Sequence, residues 1–343
     1  MEVEVHACTI PTDQPESDGT AEWDSTTIVI VEADGGIGYT YCEPAAADLI
    51  RSKLAGLVHE DVRRSWLDMQ KAVRNAGRPG IAACAISAVD QALWDRKARQ
   101  LDVSLVDFLG AAHDEVPVYG SGGFCSYSND RLQEQLAGWA EQGIPRVKMK
   151  LGRDPAADPS RLDAAREAIG DDVELFVDAN GAFTAKQALE WADRYALVWN
   201  VSWFEEPVSS GDLDGMRFVR ERAPLEVAAG EYAYTPEDVR NIVGCVDVLQ
   251  LDVTRCLGIT GVLAVANAFP VDVSAHCAPA ISAHVFCAVG RRRHLEYFHD
   301  HTRIEAMLFG GLPELDRGAL RPDRSRPGNG LELRREELRR WAA

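Results

Sequence analysis

Several features are missing from this 343-residue sequence, and each absence narrows what the chain can be. Its eight cysteines are scattered, with no Cys-x-x-Cys pair, so a disulfide framework or a zinc site is not expected. They read as reduced residues of core and helix. No stretch approaches the roughly 18 consecutive apolar residues that a membrane span requires. The opening Met1-Glu-Val-Glu-Val-His-Ala-Cys8 has no basic segment leading into an apolar run, so a cytoplasmic location is expected. No Lys/Arg-rich block stands out, and acidic residues outnumber basic ones to a net charge of −18, which disfavours nucleic acid and anionic membrane surfaces as partners. No solenoid repeat or low-complexity tract is present. What remains is an ordinary globular composition, 46% apolar, long enough for a barrel with a second module.

The first ~110 residues differ in pattern from the rest. Thr26–Glu32 and Gly38–Tyr41 are strand-like, joined by the turn signal Ala33-Asp-Gly-Gly36, and helical stretches follow near 45–57, 61–76 and 81–100. From Val116 onward, short apolar runs alternate with polar stretches of helical period. The runs are 116–119, 146–150, 174–178, 201–205, 225–230, 246–251, 271–274 and 293–296. Eight strands separated by helices predict an α/β fold, a parallel sheet closed into a TIM-like (β/α)7β barrel behind an N-terminal α+β domain. The expected divisions are 1–113, 114–320, and a charged tail 321–343 returning to the first module.

Active sites of such barrels lie at the C-terminal strand ends, and here nearly every predicted strand ends at an ionisable residue. Lys148 and Lys150 share one strand face, with Val147 and Met149 on the other. The lysines point into the barrel mouth, or else they are solvated on an edge strand. Asp178, Glu205 and Glu231 follow at intervals of 27 and 26 residues, one β/α unit each. Converging carboxylates repel, and a divalent cation with all-oxygen ligation, Mg²⁺, relieves that. Taken singly, Asp178-Ala-Asn180 reads equally as an Asx turn and Glu205-Glu-Pro207 as a helix start. Strand alternation sends Glu205 inward and Glu206 away. Asp252 and His276 sit on adjacent predicted strands, where a carboxylate on Nδ1 would orient and activate the imidazole, although a lone histidine is more often structural. Glu296 is either a salt-bridge partner at the barrel end or a protonated hydrogen-bond donor.

Together these motifs resemble the enolase superfamily and, within it, the mandelate racemase subgroup. The matching stretches are Val147-Lys-Met-Lys150, Val177-Asp-Ala-Asn-Gly181, Phe204-Glu-Glu-Pro207, Ala229-Gly-Glu231, Gln250-Leu-Asp-Val253, Ser274-Ala-His276 and His294-Leu-Glu296. Ser87–Asp95 is similar to the signature helix of that family's capping domain. The sequence departs from the pattern at Cys256-Leu-Gly258, where paired glycines are usual, and at Arg255, where relatives often carry lysine.

The resemblance implies Mg²⁺ on Asp178, Glu205 and Glu231, and removal of the proton α to a carboxylate to give an enediolate. Lys150 is then the base on one face, with its pKa lowered by Lys148 and the cation. His276, paired with Asp252, is the acid or base on the other face. Lys148 and a protonated Glu296 donate to the enediolate, and Asn180 bonds a substrate hydroxyl. Thr12–Asp24 resembles the family's specificity loop. Its polar residues, Asp18 among them, suit a polyhydroxylated acid, and Trp23 offers an apolar wall. Dehydration of an acid sugar to a 2-keto-3-deoxy acid is the expected reaction. Racemisation, epimerisation or cycloisomerisation on the same ring is the alternative, and an inactive barrel acting as a binding or assembly subunit is a third. By the same resemblance the chain is expected to form a homo-oligomer.

Overall fold

The computed structural model describes residues 2–342. The chain opens with an antiparallel sheet, β1 (Val3–Ser17), β2 (Glu22–Ala33) and β3 (Gly36–Tyr41). Alternation along β2 splits its side chains between two cores. Val29 and Val31 pack with the helices of the N-terminal layer, and Ile28 and Ile30 join the barrel core. The 20-residue helix Ile81–Gln100 crosses β3 closely, because Gly36 and Gly38 present no side chain there. A Cβ at either would stand 2.2 Å from the carbonyl oxygen of Ala92 or Ala88.

β1 was not expected. At 15 residues it is the longest strand, yet it alternates irregularly and carries Pro11 and Pro15. Both are tolerated because β2 is the one strand paired along β1, which otherwise makes a single bridge from Cys8 to Ala342, and the register shifts between Pro11 and Glu16. The segment 12–24 is therefore the tip of a hairpin rather than a loop, with only Asp18–Ala21 turning.

Eight parallel strands then close a barrel: β4 (Val116–Gly122), β5 (Arg146–Lys150), β6 (Glu174–Asp178), β7 (Val201–Glu205), β8 (Glu226–Ala229), β9 (Val248–Leu251), β10 (Asp272–Ala275) and β11 (Arg292–Phe298). Each pairs with the next, and β11 returns to β4. The strand positions agree with the sequence pattern to within a few residues. Two of the covering helices, Gly258–Ala266 and Pro279–Phe286, are apolar on nearly every side and so carry no amphipathic signal.

Val147 and Met149 face the helix layer, and the alternate residues point inward, where Tyr119, Phe176, Trp203 and His294 stack into an aromatic floor. After β11 comes the helix His299–Leu308, and then a hairpin (Glu314–Asp316, Ala319–Arg321) that pairs with the start of β4. The final helix, Arg335–Trp341, lies against β1. Among the described residues, no helix is long and apolar enough to cross a membrane.

Candidate active site

Above the aromatic floor, the strand ends bring the charged residues together. Lys148 is fully buried, with its ammonium 5.3 Å from the centre of the Tyr119 ring. Its Nζ lies 2.6 Å from Glu205, 2.8 Å from Glu296 and 3.4 Å from Asp178. Lys150, 6% exposed, donates to Asp178 Oδ2 at 2.5 Å. These lysines are not solvated edge residues. On the far side of the mouth, His276 Nδ1 meets Asp252 Oδ2 at 2.8 Å. Thr254 holds the other Asp252 oxygen through its backbone N–H at 2.6 Å and its hydroxyl at 2.7 Å. This fixes the carboxylate that orients the imidazole.

Lys150, Asn180, Glu231, His276 and Glu296 line one cavity of about 620 Å³. Its roof is the N-terminal sheet, which contributes Thr9, Trp23, Ser25, Thr27 and Tyr41, with Asp18 at the hairpin turn. Asp18 Oδ1 is engaged in that turn, accepting from the N–H groups of Thr20 and Ala21. Trp23 donates its indole N–H to Glu16 at 3.0 Å and packs edge-on against Phe124.

Four features differ from expectation. First, Glu206 does not turn away. Its φ of +37° breaks the strand alternation and buries it beside Asp178, Glu205 and Glu231. Second, burial lowers the Lys150 pKa but the Asp178 carboxylate raises it more, so the net shift is upward. Third, of the two readings of Glu296 the structure has the salt bridge, with Lys148 Nζ at 2.8 Å; burial raises its carboxyl pKa, but Lys148 and His276 outweigh that and hold it well below the usual range. Fourth, Glu231 turns to His276, with Oε2 at 2.8 Å from Nε2, so that Asp178, Glu205 and Glu231 do not form a set with all ligand oxygens within 4.8 Å.

The residues nevertheless fit a divalent cation. Six buried carboxylates (Asp178, Glu205, Glu206, Glu231, Asp252 and Glu296) face three fixed cations, Lys148, Lys150 and Arg255, and one histidine. Glu205 Oε1, Glu206 Oε1 and Asn180 Oδ1 are buried acceptors without a partner. Burial and Asp178 push the Glu205 carboxyl up to about 8, and burial and Glu231 push Glu206 well up. A cation would relieve that crowding.

Sequence reasoning missed three groups at the mouth. Ser121, on β4, donates to Glu296 at 2.6 Å. Cys277 Sγ stands 3.3 Å from Glu296 Oε2. Arg255 bridges Glu231 at 3.5 Å and Asp252 at 3.4 Å. Arg255 was visible only as a departure from the family pattern, and Ser121 and Cys277 carried no motif.

A closed barrel with ionisable groups at its strand ends beneath an α+β cap defines a capped-barrel enzyme. Residues 6–110 match the mandelate racemase/muconate lactonizing enzyme N-terminal domain, and residues 131–338 match the enolase C-terminal domain-like family. A mandelate racemase/muconate lactonizing enzyme-like protein from Rubrobacter xylanophilus is 55% identical, with a TM-score of 0.97 over 99% of both chains. The 3,6-anhydro-alpha-L-galactonate cycloisomerase of Streptomyces coelicolor is 33% identical over 94% of this chain and 92% of its own. The L-talarate/galactarate dehydratase of Salmonella typhimurium LT2, solved with Mg and L-lyxarohydroxamate, is 27% identical with a TM-score of 0.89, covering 99% of this chain and 92% of that one. A dipeptide epimerase and an N-succinyl-L-Arg/Lys racemase are also among the relatives. The chain belongs to the mandelate racemase/muconate lactonizing enzyme family of the enolase superfamily.

Proposed function

We propose that this protein is a Mg²⁺-dependent dehydratase of a polyhydroxylated carboxylic acid. The observation that carries the reading is that Lys150 and His276 line a single cavity from strands β5 and β10, which lie three positions apart one way around the ring and five the other. A substrate between them exposes opposite faces to an amine and an imidazole.

Asp178, Glu205 and Glu231 would hold Mg²⁺, which would supply positive charge at the substrate carboxylate and so make its α-proton more acidic. Glu231 would serve the cation in place of its contact with His276 Nε2. With Asp178 engaged by the cation, the carboxylate that holds the Lys150 pKa up would be neutralised, and Lys150 would take the α-proton as a neutral amine. The buried Lys148 ammonium donates to the carboxylate oxygens as charge accumulates on them, and Glu296, ionised and bonded to Ser121 and Lys148, holds that ammonium in place. His276, oriented by Asp252, delivers a proton to the departing β-hydroxyl, which leaves as water. The resulting enol tautomerises to a 2-keto-3-deoxy acid. The roof favours a polyol chain, since the hydroxyl-bearing Thr9, Ser25 and Thr27 line it. Asn180, whose buried Oδ1 has no partner, is placed to accept from a substrate hydroxyl.

The test is an NMR screen of acid sugars in D₂O with Mg²⁺, alongside calorimetric Mg²⁺ titration. The expected outcome is one or a few acids converted to 2-keto-3-deoxy products, with no turnover in EDTA. Deuterium at C2 with every hydroxyl retained and no 2-keto-3-deoxy product from any acid would instead assign a racemase or epimerase, and absence of Mg²⁺ binding would remove the enzymatic reading altogether.

A further inference from the structure

We propose that His301 and Glu305, on the helix that follows the last barrel strand, are positioning residues for His276 and act through the backbone step Cys277–Ala278. The inference rests on His276 being an acid–base group, as proposed above.

Immediately after His276, Cys277 and Ala278 have φ values of +49° and +47°. A left-handed conformation is disfavoured for any residue with a Cβ, and two in succession persist only where the surroundings over-determine them. Here they are held from several sides. The Ala278 N–H donates to His301 Nδ1 at 3.2 Å, and the Ser282 hydroxyl donates to the Cys277 carbonyl at 2.9 Å. The helix that starts at Pro279 is anchored by Glu305, whose Oε2 accepts from the Ala280 N–H at 2.9 Å.

Both gripping residues are in turn held by the N-terminal sheet. The Tyr39 hydroxyl donates to Glu305 Oε1 at 2.6 Å and accepts from the Ile281 N–H at 3.3 Å. Tyr41 lies flat on the His301 ring, with centroids 3.4 Å apart and planes within 7°. Burial lowers the His301 pKa to about 3, so the imidazole is neutral and its Nδ1 lone pair is free to accept. The acid–base imidazole is thus clamped by two elements that supply none of the ring of carboxylates and lysines. Docking of the N-terminal sheet completes the clamp, so the two modules cooperate in orienting one imidazole. A shift of about 1 Å at such a group can cost about a hundredfold in rate.

A two-faced site provides its own control. C2-hydrogen exchange is measured in D₂O with both C2 epimers of an acid that the wild-type enzyme accepts, one epimer reporting Lys150 and the other His276. His301→Ala is expected to slow the His276-face exchange by about 10–100-fold while the Lys150 face changes by less than about threefold. His301→Asn, whose Oδ1 can replace Nδ1 as acceptor, should recover much of the loss. So should Ala278→Gly in the His301→Ala background, because glycine adopts the left-handed step freely. Glu305→Gln, which keeps an acceptor for Ala280, should be milder than Glu305→Leu. Equal losses on both faces, or no recovery with glycine, would overturn the inference. If the wild-type enzyme exchanges neither epimer, the acid–base reading is what fails. The ¹⁵N spectrum of His276 then decides the clamp, and a His301→Ala spectrum superimposable on wild type refutes it.

Discussion

At the barrel mouth, Lys148, Asp178, Glu205 and Glu296 are each at most 1% exposed and bond largely to one another. Across the same cavity, the hairpin of β1 and β2 offers Thr9, Ser25 and Thr27, which are exposed or half-buried and uncharged. The mouth is rigid, crowded and electrostatically costly to rearrange, while the hairpin is a polar surface whose side chains can change at little cost to folding. Chemistry is therefore built into the barrel register, and substrate preference into a segment tuned one hydroxyl at a time. Relatives that catalyse dehydration, cycloisomerisation and epimerisation on one scaffold are consistent with that division.

The contrast is sharpest if the mouth is broken first. His276→Asn should lower turnover by about 10²–10⁴-fold, while Lys150-face C2 exchange persists and the melting temperature stays close to wild type. Steady-state kinetics with exchange NMR reads both. A comparable loss of exchange on both faces would mean that the two groups do not act independently.

On the hairpin, Thr27→Val removes one hydroxyl, the partner of Thr9 at 2.8 Å. A hydrogen bond worth about 0.5–1.5 kcal/mol predicts a KM raised about 2–10-fold with kcat unchanged. A large fall in kcat would place the hairpin within the chemistry and dissolve the distinction.

The smallest effect lies where the two regions touch. Burial, together with the nearby Asp300, raises the Glu16 carboxyl from 4.5 to about 9. A carboxyl whose folded pKa is raised favours the folded state while it is protonated. That contribution is complete below about pH 4.5 and is lost as the pH rises through 9. Thermal melts at constant ionic strength should show wild type losing stability from pH 6 to 9, and Glu16→Gln melting about 3 °C above it at the alkaline end. Parallel curves for the two proteins would mean that Glu16 is ionised throughout.

The sequence made the barrel and most of its ring legible because the functional residues lie on the strands or within two residues of their ends, and period-2 alternation with a β/α spacing survives in the order of letters. Alternation failed at Glu206, where a positive φ reverses the side chain, and no residue type announces that bend. The hairpin was half legible. Asp18 and Trp23 do reach the cavity wall, but β1, with its prolines and exposed edge, carries no clean strand signal. The pKa shifts of Lys150 and Glu296 were not legible because they depend on which neighbour lies nearest in space. Lys150 has Asp178 at 2.5 Å and Glu296 has Lys148 at 2.8 Å, contacts between residues far apart in the chain.

Ser121 and Glu296 join the first and last strands of the barrel. A chain that stops before β11 lacks the residue that steadies the Lys148 ammonium. Enzymatic competence is thus gated by completion of the cylinder. A copy truncated before β11 would lack that contact and stay inert.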